Sequence, residues 1–193
     1  MSIKTKRQSL AEFTASIPPG QRGTVPIESI TKEEYWSLMV QDMPVYLTEL
    51  AAKPISNRDL IIETVGILDI ELTKLLKSAV LPDATERLFS RNGKIKDLEA
   101  KIELAFGLGL LSQDDRQVLN ALRDIRNKFA HDASLHYFEH DPKVMGKLHS
   151  LAKFNTPGFP ARLHICTLAI SLFASLNQRR ESIAPLAKQF SIT

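Results

Sequence analysis

The chain has 193 residues, of which 44% are hydrophobic and 24% are charged. These fractions are typical of a globular domain and exclude a disordered or collagen-like chain. Its 25 Lys and Arg residues against 22 Asp and Glu leave a net charge of +3, which is too small to indicate nucleic-acid binding unless one face concentrates it. No targeting or membrane-spanning segment is visible, so we expect a cytoplasmic protein.

The N-terminal part differs in composition from the rest of the chain. Residues 1–30 contain several Pro and Gly residues and few large apolar side chains, which predicts an arm that is disordered or packed across a partner. We expect a single helical domain over residues 31–193. Thr31 with Glu34 forms a capping-box pattern at its start, and Pro44 is expected to kink or divide this first helical region.

Apolar residues at spacings of three and four predict further helices downstream. The second helix is capped by Ser56 or Asn57 and ends before Pro82. The later predicted elements are a short helix Ala84–Phe89, helices over Ile95–Leu108, Gln113–Ala130 (behind a Ser112–Asp115 capping box), Pro142–Ala152 and Ala161–Arg180, and a short tail helix Pro185–Phe190. Because alternating strand patterns are absent, we expect an all-α fold, an irregular bundle of about five to seven helices.

One predicted helix carries the most distinctive local sequence, RDIRNKFAHD. On a helical wheel, Arg126 falls on the same apolar arc as Leu119 and Leu122. A guanidinium facing a core requires a carboxylate or an anionic ligand. Glu63 and Asp69, acids within the apolar second helix, are therefore its predicted charge partners.

Arg126 and Asn127, followed by three residues and His131, match the R-N-x-x-x-H motif of the HEPN superfamily, all-α domains of which many are metal-independent ribonucleases. The resemblance implies a catalytic set in which His131 deprotonates a ribose 2′-hydroxyl, Arg126 stabilises the phosphorane charge and Asn127 orients either group. An inactive HEPN-like module, acting as an antitoxin or binding a nucleotide, is a further alternative. Arg126 and His131 lie about 140° apart on the wheel, so their convergence requires the helix to end near Ala130 or a dimer. The structural alternative is a buried Arg–acid pair with His131 at the helix C-terminus.

A longer resemblance covers residues 96–151. It includes DLEAKI at 97–102, the turn FGLGL at 106–110 and His131-Asp132, and it is similar to the mannitol operon repressor family. That resemblance implies an all-helical transcriptional repressor of sugar-alcohol utilisation.

The sequence offers a poor element for base recognition. The stretch 108–112 has the length of a helix-turn-helix turn, but the next helix opens with Asp114 and Asp115, which would face DNA phosphates. We therefore expect a regulator that acts through protein contacts and does not bind operator DNA directly. A homo-oligomer and a protein partner are expected, RNA only under the nuclease alternative, and no membrane.

No cofactor and no metal site are predicted. His131, His136 and His140 could be taken for metal ligands, but a polar loop after the helix explains them better. Cys166 lies on an apolar helix and is expected to be a buried, unreactive thiol. With one cysteine, no internal disulfide framework is available.

Overall fold

The structure, a computed structural model, describes residues 43–90, 93–151 and 160–189. The chain divides into two compact units, Met1–Glu49 and Leu50–Thr193. The predicted arm, the start of the helical domain at residue 31 and the Thr31–Glu34 capping box lie outside the described residues, so they stay predictions.

Helices account for the regular structure of the described residues, which contain no strand, and the predicted all-α fold is confirmed. Within them there are seven α-helices, inside the predicted range, and one short 3₁₀ helix. Helix α1 covers residues 43–52. The others are α2 Asn57–Ala79, α3 Pro82–Phe89, α4 Leu98–Gly107, α5 Gln113–His131, the 3₁₀ helix Phe138–His140, α6 Pro142–Ser150 and α7 Ala161–Gln189.

Side-chain caps fix where several helices begin, as the sequence predicts. The Ser56 hydroxyl accepts from the Asp59 amide at the start of α2, and Ser112 with Asp115 forms a complete capping box at the start of α5. At the end of α4, Gly109 adopts φ +70°, and Leu110 N donates to Ala105 O at 2.8 Å. This left-handed residue closes the helix at little steric cost.

The predicted boundaries differ most from the structure at the start of α4 and at the end of α7. Helix α4 begins at Leu98, later than expected, because Ile95 N donates to Leu88 O at 3.0 Å and holds Ile95 in the turn after α3. Helix α7 runs without interruption to Gln189, so the separate tail helix at Pro185 does not exist. A proline removes one helical hydrogen bond and strains one turn, but the chain on both sides can remain helical.

Helix α2 is the central element of the second unit, in contact with α4, α5 and α7. Its apolar face and those of α5 and α7 form the core, and the ring of Phe129 packs on that of Phe138 with centroids 4.9 Å apart. The side chains buried in this way include Leu60, Ile61, Leu68, Leu72, Leu75, Leu76, Leu119, Leu122, Ile125, Ile165, Ala169 and Leu176. The core therefore fixes the relative positions of α2 and α5, whose outer edges border the candidate site.

Candidate functional site

A cleft of about 380 Å³ opens between α2, the start of α4 and the second half of α5; it is called the α2–α5 cleft below. Gly66 lies at its wall, where an added Cβ would meet no atom within 4 Å, so the wall is open there. Asn127 also lines it. The charged side chains that line the cleft are Asp69, Lys96, Asp97, Glu99, Arg123 and Arg126.

Arg126 is exposed to solvent, so the prediction that it faces the core is wrong. Its Nη1 donates to Asn127 Oδ1 at 2.8 Å. Leu122 and Ile125 of α5 are buried, whereas Arg126 lies where α2 and α4 leave the cleft between them. A helical wheel shows that a residue lies at the edge of an apolar face. Whether that edge is buried depends on how the neighbouring helices pack against it.

The acids predicted to pair with Arg126 have other surroundings. Asp69 Oδ1 accepts from Lys101 Nζ at 2.6 Å, an ion pair that joins α2 to α4. Burial raises the pKa of Glu63 above its ordinary value. Since Arg126 is exposed, its charge is solvated and does not require a carboxylate partner.

His131 is the last residue of α5 and is exposed. It does not line the α2–α5 cleft, which contains the other two residues of the R-N-x-x-x-H motif. The structure therefore brings Arg126 and Asn127 together and leaves His131 outside. The nuclease roles of the three residues stay a prediction, because the three do not line a common cleft within one chain.

Arg123 is a residue of the cleft that sequence reasoning missed. Its Nη1 lies 3.1 Å from Glu99 Oε2 and its Nη2 lies 3.0 Å from Asp124 Oδ1, so it links α4 to α5. Burial alone would raise the pKa of Asp124, but hydrogen bonds from Lys147 and Arg123 outweigh it and hold the pKa below its ordinary value. The available signal was spacing, because Arg123 precedes Arg126 by one helical turn.

The N-terminus of α5, the segment that a helix-turn-helix would present to DNA, is attached to α7. Asp115 Oδ2 accepts from Ser112 at 2.7 Å and from Arg179 Nη2 of α7 at 3.1 Å. The same oxygen lies 3.3 Å from the Ser175 hydroxyl, which donates to it. This carboxylate is committed to the fold and leaves the start of α5 acidic.

The other chemical candidates are explained by structure. Cys166 is buried, and burial raises the pKa of its thiol to about 11, so it is protonated and unreactive at neutral pH. Among the described residues, no three His, Cys, Asp or Glu side chains are grouped so that they could hold a metal ion. In the same part of the chain, none of the helices combines the length and the apolar character that crossing a bilayer requires.

These features define an all-α domain with a charged, solvent-open cleft along two packed helices. The family model for the mannitol repressor, MtlR, matches residues 47–182. The chain belongs to the mannitol repressor family. This confirms the resemblance carried by the DLEAKI and FGLGL segments.

A solved structure shares the fold. A chain in the X-ray structure of the MtlR-HPr complex from Escherichia coli is 19% identical, with a TM-score of 0.52, over 75% of this chain and 98% of that chain. No curated protein matches this chain.

Proposed function

We propose that this protein is a regulator of the mannitol repressor type that acts by binding a protein partner and does not recognise DNA bases with a helix of its own. The observation that carries the proposal is the start of α5, the described helix that follows the turn-like segment 108–112. Its first turn is acidic and bound to α7 through Asp115 and Arg179. We expect it to act in the cytoplasm.

The body of α5 supports the same conclusion. A recognition helix lies in the major groove and presents basic and amide side chains to base edges and phosphates. In α5, Leu119, Leu122, Ile125 and Phe129 are buried in the core, and Asp114 is exposed at its start. Docking the start of this helix into DNA would place carboxylates against phosphates, which is costly.

HPr is the protein partner that we propose. The MtlR chain whose fold this protein shares was crystallised in a complex with HPr. Recognition of a second protein needs no basic surface, which suits the net charge of +3. It also suits the cations that carboxylates pair with near the surface, such as Arg116 with Glu103.

The loop after α5 supplies the best candidate contact for that partner. Tyr137 is 56% exposed, and its ring lies 4.9 Å from that of His140. Leu135 and Phe138, on either side, are buried and anchor the loop. Exposed aromatic side chains on a rigid support dominate many protein interfaces, because they bury much area at a small entropy cost.

Isothermal titration of the purified full chain with HPr of the same organism tests the proposal. We expect a saturable complex, weakened about tenfold or more by Tyr137→Ala. Leu163→Ala is the matched control, since Leu163 is an exposed apolar side chain on α7, and it should leave the affinity unchanged. Absence of HPr binding by the wild type would contradict the proposal that HPr is the partner. Equal effects of the two variants would contradict the proposal that Tyr137 contacts it.

We also propose that the protein is a homo-oligomer, as expected from its sequence. Large apolar side chains are exposed at Leu81 and Leu108, and surfaces of this kind are often covered in an assembly. Light scattering coupled to size-exclusion chromatography measures the mass directly. A mass of 21.6 kDa, that of one chain, at micromolar concentrations would contradict the proposal.

A further inference from the structure

Two cations in the α2–α5 cleft have no carboxylate partner among the residues that the structure describes. Arg126 makes one hydrogen bond, to Asn127, and both Arg126 and Lys96 are exposed. Within the described part of the chain, neither forms an ion pair, whereas Arg123 is paired with Glu99 and Asp124. A guanidinium and an ammonium at one cleft provide the donors that bind a phosphate group.

The same cleft also contains carboxylates, which would repel a ligand that carries only negatively charged groups. Asp97 is exposed and does not cap α4 with its side chain. Asp69 and Glu99 are each bound to a cation through one oxygen, so lone pairs remain on both groups. Carboxylate oxygens are strong acceptors for hydroxyl groups, so this part of the cleft suits a ligand with several hydroxyls.

The size and lining of the cleft limit further the class of ligand that it could bind. Its volume of about 380 Å³ lies near the lower end of ligand sites, roughly 300–1,000 Å³. Among the described residues, none that lines the cleft is aromatic, so they offer no surface on which a nucleobase would stack. A nucleoside polyphosphate would also place several negative charges against three carboxylates.

We propose that the α2–α5 cleft binds a phosphorylated sugar alcohol, with Arg126 and Lys96 holding the phosphate and Asp69, Asp97 and Glu99 accepting hydrogen bonds from the polyol hydroxyls. The chain belongs to the mannitol repressor family, and a phosphorylated sugar alcohol is a suitable signal for a regulator of that family. This site does not depend on the protein partner proposed above, because α2, α4 and α5 build it within one chain.

Isothermal titration of the full chain with mannitol 1-phosphate at constant ionic strength tests the site. Mannitol and inorganic phosphate are titrated in parallel, since each lacks one half of the ligand. We expect saturable binding of mannitol 1-phosphate, and binding of the other two that is weaker by about tenfold or more. Inorganic phosphate binding as tightly as the ester would overturn the assignment, and so would the absence of saturable binding of the ester.

Variants locate the binding. Arg126→Gln and Lys96→Gln remove the two unpaired cations without touching the core, and together they should weaken binding about tenfold or more. Gly66→Met narrows the cleft without changing its charge, and the open space at Gly66 accepts a side chain, so it should also weaken binding in a folded protein. Lys143→Gln, an exposed cation on α6 outside the cleft, is the matched control and should bind as the wild type does. Binding that survives both the double variant and Gly66→Met would overturn the proposal, while titration of the same variants with HPr reports separately on the protein partner.

Discussion

Replacement of Arg162 is expected to destabilise the second unit more than replacement of an arginine in a surface ion pair. The Arg162 guanidinium at the start of α7 donates to the carbonyl oxygens of Ala51, Lys53 and Ile55 at 3.3, 3.0 and 2.9 Å. It also donates to Asn57 Oδ1 at 2.7 Å. One side chain thus binds carbonyl groups at the end of α1 and along its connection to α2, where backbone carbonyls leave the helical pattern.

The magnitude follows from the number and kind of these bonds. A hydrogen bond that involves a charged group contributes about 1.5–3 kcal/mol, but the four bonds share one half-buried group and are not additive. We therefore expect Arg162→Met to lower the free energy of unfolding by about 2–4 kcal/mol. Arg116→Met is the control: Arg116 pairs with Glu103 at the surface and lies over the Phe106 ring, contacts that contribute about 1 kcal/mol.

Urea unfolding followed by far-ultraviolet circular dichroism measures both variants against the wild type. We expect the midpoint of Arg162→Met to fall well below that of Arg116→Met, with similar slopes. Equal losses in the two variants would refute the argument that these four bonds to one guanidinium outweigh a surface ion pair.

Three further predictions concern pH, backbone and activity. Burial lowers the pKa of His164 below 6.5, so the free energy of unfolding should fall as the pH drops below 6.5, by at most about 1.4 kcal/mol per pH unit. Thermal melts of His164→Gln should show less of this loss of stability at acidic pH. The same loss in the variant as in the wild type would contradict the prediction. Gly93→Ala places a Cβ 2.2 Å from Leu88 O and should cost about 2 kcal/mol or more in urea unfolding. Gly146→Ala, in open space on α6, should instead stabilise by about 0.5–1 kcal/mol, so equal effects at the two glycines would be unexpected. Finally, because His131 lies outside the cleft, metal-free protein should not degrade RNA, and cleavage by the wild type that His131→Ala abolishes would restore the nuclease hypothesis.

Local features of the fold were predictable because they depend on neighbouring residues. Ser56, Ser112 with Asp115, and Gly109 act at the positions where their chemistry is required, since caps and left-handed turns are local interactions. The apolar spacing of α2 likewise identified most of its buried face. The end of α7 was missed because a proline does not by itself determine where a helix ends.

The candidate site was less predictable because it depends on how helices pack. The wheel placed Arg126 on the apolar arc, but the cleft between α2 and α4 leaves it exposed. The ion pair between Asp69 and Lys101 and the bonds of Arg162 join residues far apart in sequence, and a single sequence gives no signal for such pairs. Family membership was recognisable because the DLEAKI and FGLGL segments lie together within one stretch of the chain.

The most direct test of the central claim compares two partners of the same protein sample. Fluorescence anisotropy at physiological salt measures binding of the full chain to labelled HPr and to labelled DNA from upstream of the mannitol operon. We predict saturable binding of HPr, and only weak binding of DNA that is independent of sequence and lost as salt rises. Tight, sequence-specific DNA binding together with no binding of HPr would contradict the account.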